Sequence, residues 1–470
     1  MSTKPLHFNA FVMNTASHIH HGQWRRPDAQ QSNFTDINLW IDLAKTLENA
    51  KFDAMFFADV SGHYGDADAS IDHYVEEGLQ IPSNDPTVLL GALAVVTEHL
   101  GLATTSNVFQ QHPFNFARQL STLDHLSKGR IAWNIVTGTQ DNGARNYGLE
   151  QLTEHAERYR WAEEYVDVVY KLWEGSWDDD AVLDDRTGTG RFSDPTKVHK
   201  IYHDGPRYRV EGPHLPSPSP QRTPVLFQAG ASVPGRTFAA RHAEATFINP
   251  PNASVAADQI ADTRQRVVAA GRHPEDLKFF VGLSFVIGDT EAEAHAKYRD
   301  YQRYVSDRGY LAHRAIVDEN GRVYDPNTPL KDAPSNSAKG FSEWAAKAIT
   351  DREPLVRDLS RRIAQENVIV GTPEQIADEL EIWRAAGADG INVINWVLPG
   401  SFEEFGQKLT PVLQERGLQQ HDYAPGSLRK KLFGTDRLND RHPAVQYRGA
   451  FGPAGWSTAE RLTQVGASGE

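Results

Sequence analysis

Ile131-Ala132-Trp133-Asn134-Ile135-Val136-Thr137-Gly138 is a short apolar run of β-branched and aromatic residues that closes on hydrogen-bonding ones. Its apolar side chains are nearly continuous, as in a parallel strand covered on both faces. Upstream lies Leu100–Val108 and downstream Pro224–Ala229, each separated from it by amphipathic stretches of helical spacing. Further outward the pattern repeats in His7–Val12, Ala54–Val60, Ala245–Ile248, Phe279–Ile287 and Ile391–Val397. About eight strand–helix units imply a parallel sheet, and that count favours a closed (β/α)8 TIM barrel over an open doubly wound sheet.

The helical stretches carry their own start signals. Ile37–Ala50 follows the first strand. Asp85-Pro86-Thr87 supplies an N-cap and an N1 proline for a helix running towards Leu100. Tyr159, Ala162, Tyr165, Val166, Val169, Leu172 and Trp173 form an apolar stripe, and Thr372-Pro373-Glu374-Gln375 is a capping box whose helix ends near Gly387. Insertions near 61–84, 174–222 and 300–367 interrupt the alternation; they follow strands and so belong to the C-terminal face of the barrel, where such folds keep their active sites. Residues 1–430 read as a single barrel domain. Residues 431–470 read as a C-terminal tail, low in periodicity and rich in Gly, Pro, Arg and Gln.

Among 470 residues, 62 acidic side chains outnumber 48 Lys and Arg, for a net charge of −14. That balance argues against nucleic acid or an anionic membrane as partner, both of which need concentrated cations. There is no cysteine, which excludes disulfides, a thiol nucleophile and thiolate metal sites. The polar start Met1-Ser2-Thr3-Lys4 and the lack of a long apolar span predict a cytoplasmic enzyme. Gly188-Thr189-Gly190 opens no helix and follows no strand, so it does not predict a dinucleotide site.

The predicted strand tips are Phe57-Ala58-Asp59, Thr105-Ser106-Asn107, Val136-Thr137-Gly138 and Gln228-Ala229-Gly230-Ala231-Ser232. Apart from Asp59 they are uncharged and hydrogen-bonding, a set suited to a flat heteroaromatic ligand with amide edges. Phe11, Phe57, Phe109 and Trp396 at the same tips are candidate aromatic walls for a substrate. Gly230 to Arg236 has the makings of a phosphate site: glycines that let N–H groups converge, a serine hydroxyl and a helix N-terminus. The same residues also read as an ordinary turn with a Ser N-cap.

Several strings together carry a family resemblance. Thr122-Leu123-Asp124-His125-Leu126-Ser127-Lys128-Gly129-Arg130, with Trp133-Asn134-Ile135-Val136-Thr137 after it, resembles the nitrilotriacetate, pristinamycin and dibenzothiophene-sulfone monooxygenases. So do Ala144-Arg145-Asn146-Tyr147-Gly148, His155-Ala156-Glu157-Arg158-Tyr159, Gln228-Ala229-Gly230-Ala231-Ser232 and Val370-Gly371-Thr372-Pro373-Glu374-Gln375, in register over roughly residues 5–430. The resemblance implies a bacterial-luciferase-like barrel. It would be the oxygenase of a two-component system that takes FMNH2 from a separate NAD(P)H:flavin reductase and uses O2 on a small organic substrate. A homodimer or homotetramer is implied too. Family FMN contacts map onto Asp59, Thr105, His155, Tyr159 and Ser232, with Asn107 and Thr137 joining the flavin pocket. Ser61-Gly62-His63-Tyr64-Gly65-Asp66 and Val108–Pro113 depart from the relatives on the expected substrate side, so substrate identity is not carried over.

Ser17-His18-Ile19-His20-His21 places three histidines after the first strand. Within the resemblance, His21 before Gly-x-Trp-Arg and His313 in the last insertion are candidate catalytic residues. A His-x-His at this position is also the start of a metal site in amidohydrolase barrels. The other ligands that site requires are missing from the ends of strands five, six and eight, so no metal is expected. A deazaflavin-dependent oxidoreductase and a non-catalytic binding barrel are the remaining alternatives.

Overall fold

The computed structural model describes residues 4–64, 71–230, 232–314, 316–318, 320, 322–333 and 349–452. Eight strands close into a parallel barrel: β1 (His7–Met13), β2 (Ala54–Ala58), β3 (Gly101–Asn107), β4 (Ile131–Val136), β5 (Val225–Gln228), β6 (Ala245–Ile248), β7 (Lys278–Ile287) and β8 (Gly390–Ile394). Each pairs in parallel with the next, and β8 returns to β1 with His7 opposite Gly390 and Phe11 opposite Ile394. All eight apolar runs are thus strands of one ring. A further strand, Val368–Gly371, lies outside it and pairs with the outer end of β7, Val368 opposite Ser284.

The helices relevant to the site are α1 (Ile37–Asn49), α2 (Pro86–Val96), α3 (Pro113–Leu126), α4 (His155–Tyr170), α5 (Val233–His242), α6 (Ala253–Ala269), α7 (Glu291–Arg303) and α8 (Asp307–His313). Their start signals work as the residues suggest. Asp85 accepts from the Thr87 N–H at 2.8 Å, and Thr372 and Gln375 bond each other's backbone N–H.

Strand alternation divides the apolar residues between two cores. Phe8, Ala10, Val12, Met55, Phe57, Trp133 and Leu226 face the helices. Phe11, Phe56, Ala103, Ala132, Phe227, Ala245, Phe280 and Ile394 fill the barrel. Inside, Phe56 and Phe227 meet edge-on at 5.2 Å and Phe227 and Phe280 at 5.5 Å, so the interior is packed rather than hollow.

The N-terminal end of the barrel is closed by a short helix, Leu428–Phe433, whose Leu428 and Leu432 join the interior cluster. Gly101, at the start of β3, makes room for it: a Cβ there would come within 2.7 Å of a Leu428 methyl. Next to the plug, Arg429 is 1% exposed and reaches Glu244 at 2.7 and 2.9 Å, with further bonds to the carbonyls of Gln221, Thr223 and Pro224. Those acceptors make a buried guanidinium tolerable. Residues up to Gly452 continue in contact with the barrel, Phe451 lying against Gly175 and Tyr447 bonding Asp167. The sequence reading set 431–470 apart as a tail, yet 431–452 are docked; 453–470 lie outside the described residues.

Candidate active site

The C-terminal mouth of the barrel is floored by polar side chains from β3 and β4. Thr105 donates to the Phe57 carbonyl at 2.8 Å and accepts from the Asn134 amide at 2.9 Å. Asn107 donates to Ser61 Oγ at 3.0 Å. The Oδ1 atoms of Asn107 and Asn134 are both buried and have no protein partner. Two such acceptors in one floor call for a donor-bearing ligand, because an unpaired buried carbonyl costs about 1–3 kcal/mol. Gly138 adopts φ +80°, and a Cβ there would lie 2.8 Å from the Phe109 ring and 3.1 Å from the Asn107 amide. Phe109, Asn107 and the turn containing Thr137 therefore converge on one rim.

On the neighbouring rim, Ser232 caps α5 by accepting from the Gly235 N–H at 3.2 Å, while His155 Nε2 lies 3.3 Å from the same hydroxyl. His155 and Tyr159 are one turn apart on α4, with ring centroids 5.2 Å apart. The Tyr159 hydroxyl hangs over the turn before α5: a Cβ on Gly235 would lie 2.8 Å from it and one on Gly230 3.0 Å. Both glycines are needed for this approach. Ser232, His155 and Tyr159 thus meet at a helix N-terminus, the geometry that suits an anion. The N-cap bond of Ser232 leaves its hydroxyl within reach of His155 as well.

Asp59, at the tip of β2, brings a carboxylate to this mouth. Burial, with the Asp85 charge nearby, raises its pKa to about 7, while a hydrogen bond from the Val60 N–H opposes the rise.

On the β1–β7–β8 side, the histidine run folds against α8. His21 is fully buried, with Nδ1 3.0 Å from Ser17 Oγ and Nε2 2.7 Å from His313 Nδ1. His313 is half-buried, and Tyr64 meets it edge-on at 4.9 Å. His20 bridges two elements, with Nε2 2.7 Å from Ser284 Oγ on β7 and Nδ1 3.1 Å from the Tyr310 hydroxyl on α8. His18 lies against Phe11, centroids 4.7 Å apart, and its Nδ1 is buried without a partner. Burial drives all four histidines towards the neutral form: His18 and His20 fall to about 3, His313 to about 4, and His21 well below its ordinary value. Among the described residues, no group of three or more histidines and carboxylates is placed to hold a metal ion.

Residues 13–390 match the family described as luciferase-like monooxygenase. The chain belongs to that family. It is 44% identical over 450 residues to the long-chain alkane monooxygenase of Geobacillus thermodenitrificans (strain NG80-2), covering 95% of this chain and 98% of that one. It is 42% identical over 455 residues to the dimethyl-sulfide monooxygenase of Hyphomicrobium sulfonivorans, with 95% of each chain covered. Among solved structures it resembles a riboflavin lyase with modified FMN and riboflavin, at TM-score 0.84 and 35% identity, covering 95% of this chain and 100% of that one.

In this luciferase-like monooxygenase Asp59, Thr105, Asn107 and Thr137 stand at the strand tips, His155 and Tyr159 reach the turn of Ser232 from α4, and His21 meets His313 across 292 positions of sequence. Phe11 faces inward against Phe56 and Phe247, at 5.6 and 4.9 Å. Two expected walls lie elsewhere. Phe57 points outward to Trp40 on α1, 5.3 Å away, because the period of two that sends Phe56 into the barrel turns its neighbour to the helices. Trp396 is 1% exposed, enclosed between His20 and Tyr301. Ser61 and Tyr64 come from the stretch expected on the substrate side, whereas Ser17, Ser284 and Tyr310 belong to the site without having been singled out for it; Ser284 and Tyr310 meet His20 from far away in sequence, and no spacing rule reports such contacts. A cleft of about 1010 Å³ also opens at the opposite, N-terminal end, but it is lined by paired charges such as Arg441–Asp276 at 2.6 Å, where barrels place stability rather than chemistry.

Proposed function

We propose that this chain is the oxygenase component of a two-component flavin monooxygenase, which takes reduced FMN from a separate NAD(P)H:flavin reductase and O2 to oxygenate a small organic substrate. The observation that carries the reading is the pairing of two features in one mouth. One is a floor with unpartnered amide oxygens on Asn107 and Asn134; the other is the Ser232–His155–Tyr159 set at the α5 N-terminus. A flavin mononucleotide has both a donor-bearing planar edge and a phosphate to match. The relative containing modified FMN supports FMN in particular.

Bound there, reduced flavin would supply oxygen activation, which no side chain of the mouth offers. The chain's own residues bind and shield. Ser232, His155 and Tyr159 hold the phosphate; Asp59, Thr105, Asn107 and Thr137 border the ring system; Phe11 and Phe109 keep water away. His21 and His313 serve the substrate side. With these histidines neutral at pH 7, that side favours an uncharged apolar or aromatic substrate over an aminopolycarboxylate. The names of the alkane and dimethyl-sulfide monooxygenases point the same way.

The enzyme is taken to act in the cytoplasm, where a flavin reductase would supply it; among the described residues no helix is long and apolar enough to cross a membrane. It is taken to pair with a second copy through α2 and α3, where Val88, Val95 and Leu126 are 74%, 84% and 62% exposed.

The test is anaerobic titration with reduced FMN, followed by oxygen uptake with a generic flavin reductase over alkanes, dialkyl sulfides, sulfones and aminopolycarboxylates. Submicromolar to micromolar binding of reduced FMN and turnover of an uncharged class are expected. No flavin affinity overturns the proposal. Light scattering of Val95→Lys checks the pairing surface, with a shift towards monomer expected.

A further inference from the structure

We propose that Ser17 is a positioning residue which holds His21, and through it His313, in the Nε2–H tautomer, so that His313 presents a hydrogen-bond donor to the ligand side of the mouth. This deepens the reading of that mouth as the substrate site and rests on it.

The chain of contacts is Ser17 Oγ to His21 Nδ1 at 3.0 Å, then His21 Nε2 to His313 Nδ1 at 2.7 Å. Between two neutral imidazoles one nitrogen must donate and the other accept, so only two arrangements exist. Either every donor points from Ser17 towards His313, or every donor points back. The serine decides between them. Ser17 is 3% exposed, and among the described residues its hydroxyl has His21 as its one hydrogen-bond partner. Were it to accept from His21 Nδ1–H, its own proton would be buried without an acceptor, at the cost of an unmade hydrogen bond. Donating to His21 Nδ1 satisfies it. His21 then carries its proton on Nε2 and gives it to His313 Nδ1, which leaves the His313 proton on Nε2. That nitrogen has no partner among the described residues.

The surroundings keep the pair neutral, so the arrangement persists across ordinary pH. The titratable and charged groups facing it are His18 and His20 from the same loop, Tyr310 and Arg314 from α8 and its end, and Tyr64 from the loop after β2. Among the described residues, none is a carboxylate that would draw a second proton onto either ring. His21, with both nitrogens engaged and no exposure, acts through His313 rather than on a ligand. His313 is thereby a donor in every encounter, neither an acceptor nor a base, and the ligand atom opposite it must offer a lone pair.

The test is 15N-histidine NMR of the full-length protein without flavin, His313 being assigned by His313→Asn. In the wild type, His313 is expected to show a protonated Nε2 and a bare Nδ1 from pH 6 to 9. Ser17→Ala should shift the tautomer ratio of His313 by roughly three- to tenfold, the loss of one modest hydrogen-bond preference, and Ser17→Thr should restore it. A protonated Nδ1 on His313 in the wild type, which needs no variant to observe, overturns the proposal. So does an unchanged ratio in Ser17→Ala. Failure of the flavin reading would appear separately, as absent flavin binding in a wild type whose tautomer is as expected.

Discussion

Trp396 lies flat against His20, their ring centroids 3.6 Å apart and their planes within 8° of parallel. On its other face Tyr301 stacks at 5.1 Å and 12°, with the Arg26 guanidinium 4.7 Å beyond. The column joins the end of β8 to the histidine loop and to α7. Removing its centre leaves a large void and frees His20 from the face that orients it. Trp396→Ala is expected to destabilise the protein by about 3–5 kcal/mol, measured as a shift of the urea midpoint. Trp396→Phe should recover most of that loss.

Asp59 gives the mouth a pH-dependent cost. Its folded pKa is raised to about 7 from 3.8 by burial, so its neutral form is favoured in the folded state. The resulting stabilisation is full below pH 3.8 and is lost as pH rises through about 7. Asp59→Asn, which is neutral at every pH, should therefore gain stability relative to the wild type on going from pH 5 to pH 8, by up to about 3 kcal/mol. Urea titrations of both proteins at the two pH values measure it. A difference that does not grow with pH would mean that Asp59 is ionised and well solvated.

Ser232 and Tyr159 converge on the turn before α5, and each offers one hydroxyl to a proposed phosphate. Ser232→Ala and Tyr159→Phe should each weaken reduced-FMN binding by roughly ten- to a hundredfold, the worth of a hydrogen bond to a charged group. Turnover at saturating flavin should change less, since a contact far from the reacting atoms stabilises ground and transition states alike. Ser232→Ala also removes the α5 cap, at about 1 kcal/mol of stability. Calorimetric titration of folded protein separates the two effects. Unchanged flavin affinity in both variants would put the phosphate elsewhere.

Arg429 and Glu244 form a buried pair from which neither partner can be removed alone. Arg429→Met leaves the buried Glu244 carboxylate with only the Leu226 N–H as hydrogen-bond donor among the described residues and is expected to cost about 3–5 kcal/mol. The double variant Arg429→Met with Glu244→Gln should be less destabilised than the single one. A double-mutant cycle by denaturant unfolding reads the difference.

The barrel was legible because buried parallel strands announce themselves as apolar runs, and because Asp85-Pro86 and Thr372 to Gln375 state their helix starts locally. The glycine turn with its Ser232 cap was legible locally, since Gly230, Ser232 and Gly235 lie within six residues, while the approach of His155 and Tyr159 to it came only through the family resemblance. Long-range contacts were not. Nothing in the order of residues ties His21 to His313, or His20 to Ser284 and Tyr310. Phe57 shows the other limit: both aromatic neighbours in Phe56-Phe57 suit a wall, and only the register of β2 decides which one faces inward. Val368–Gly371 escaped because it follows a long insertion and pairs outside the ring, on the edge of β7.

The leucine plug at the N-terminal end and the aromatic rings packed above it make the barrel a solid peg with no passage through its axis. A molecule seated in the C-terminal mouth therefore arrives and departs on the same side, past the rim that Phe109, Tyr64 and α8 form.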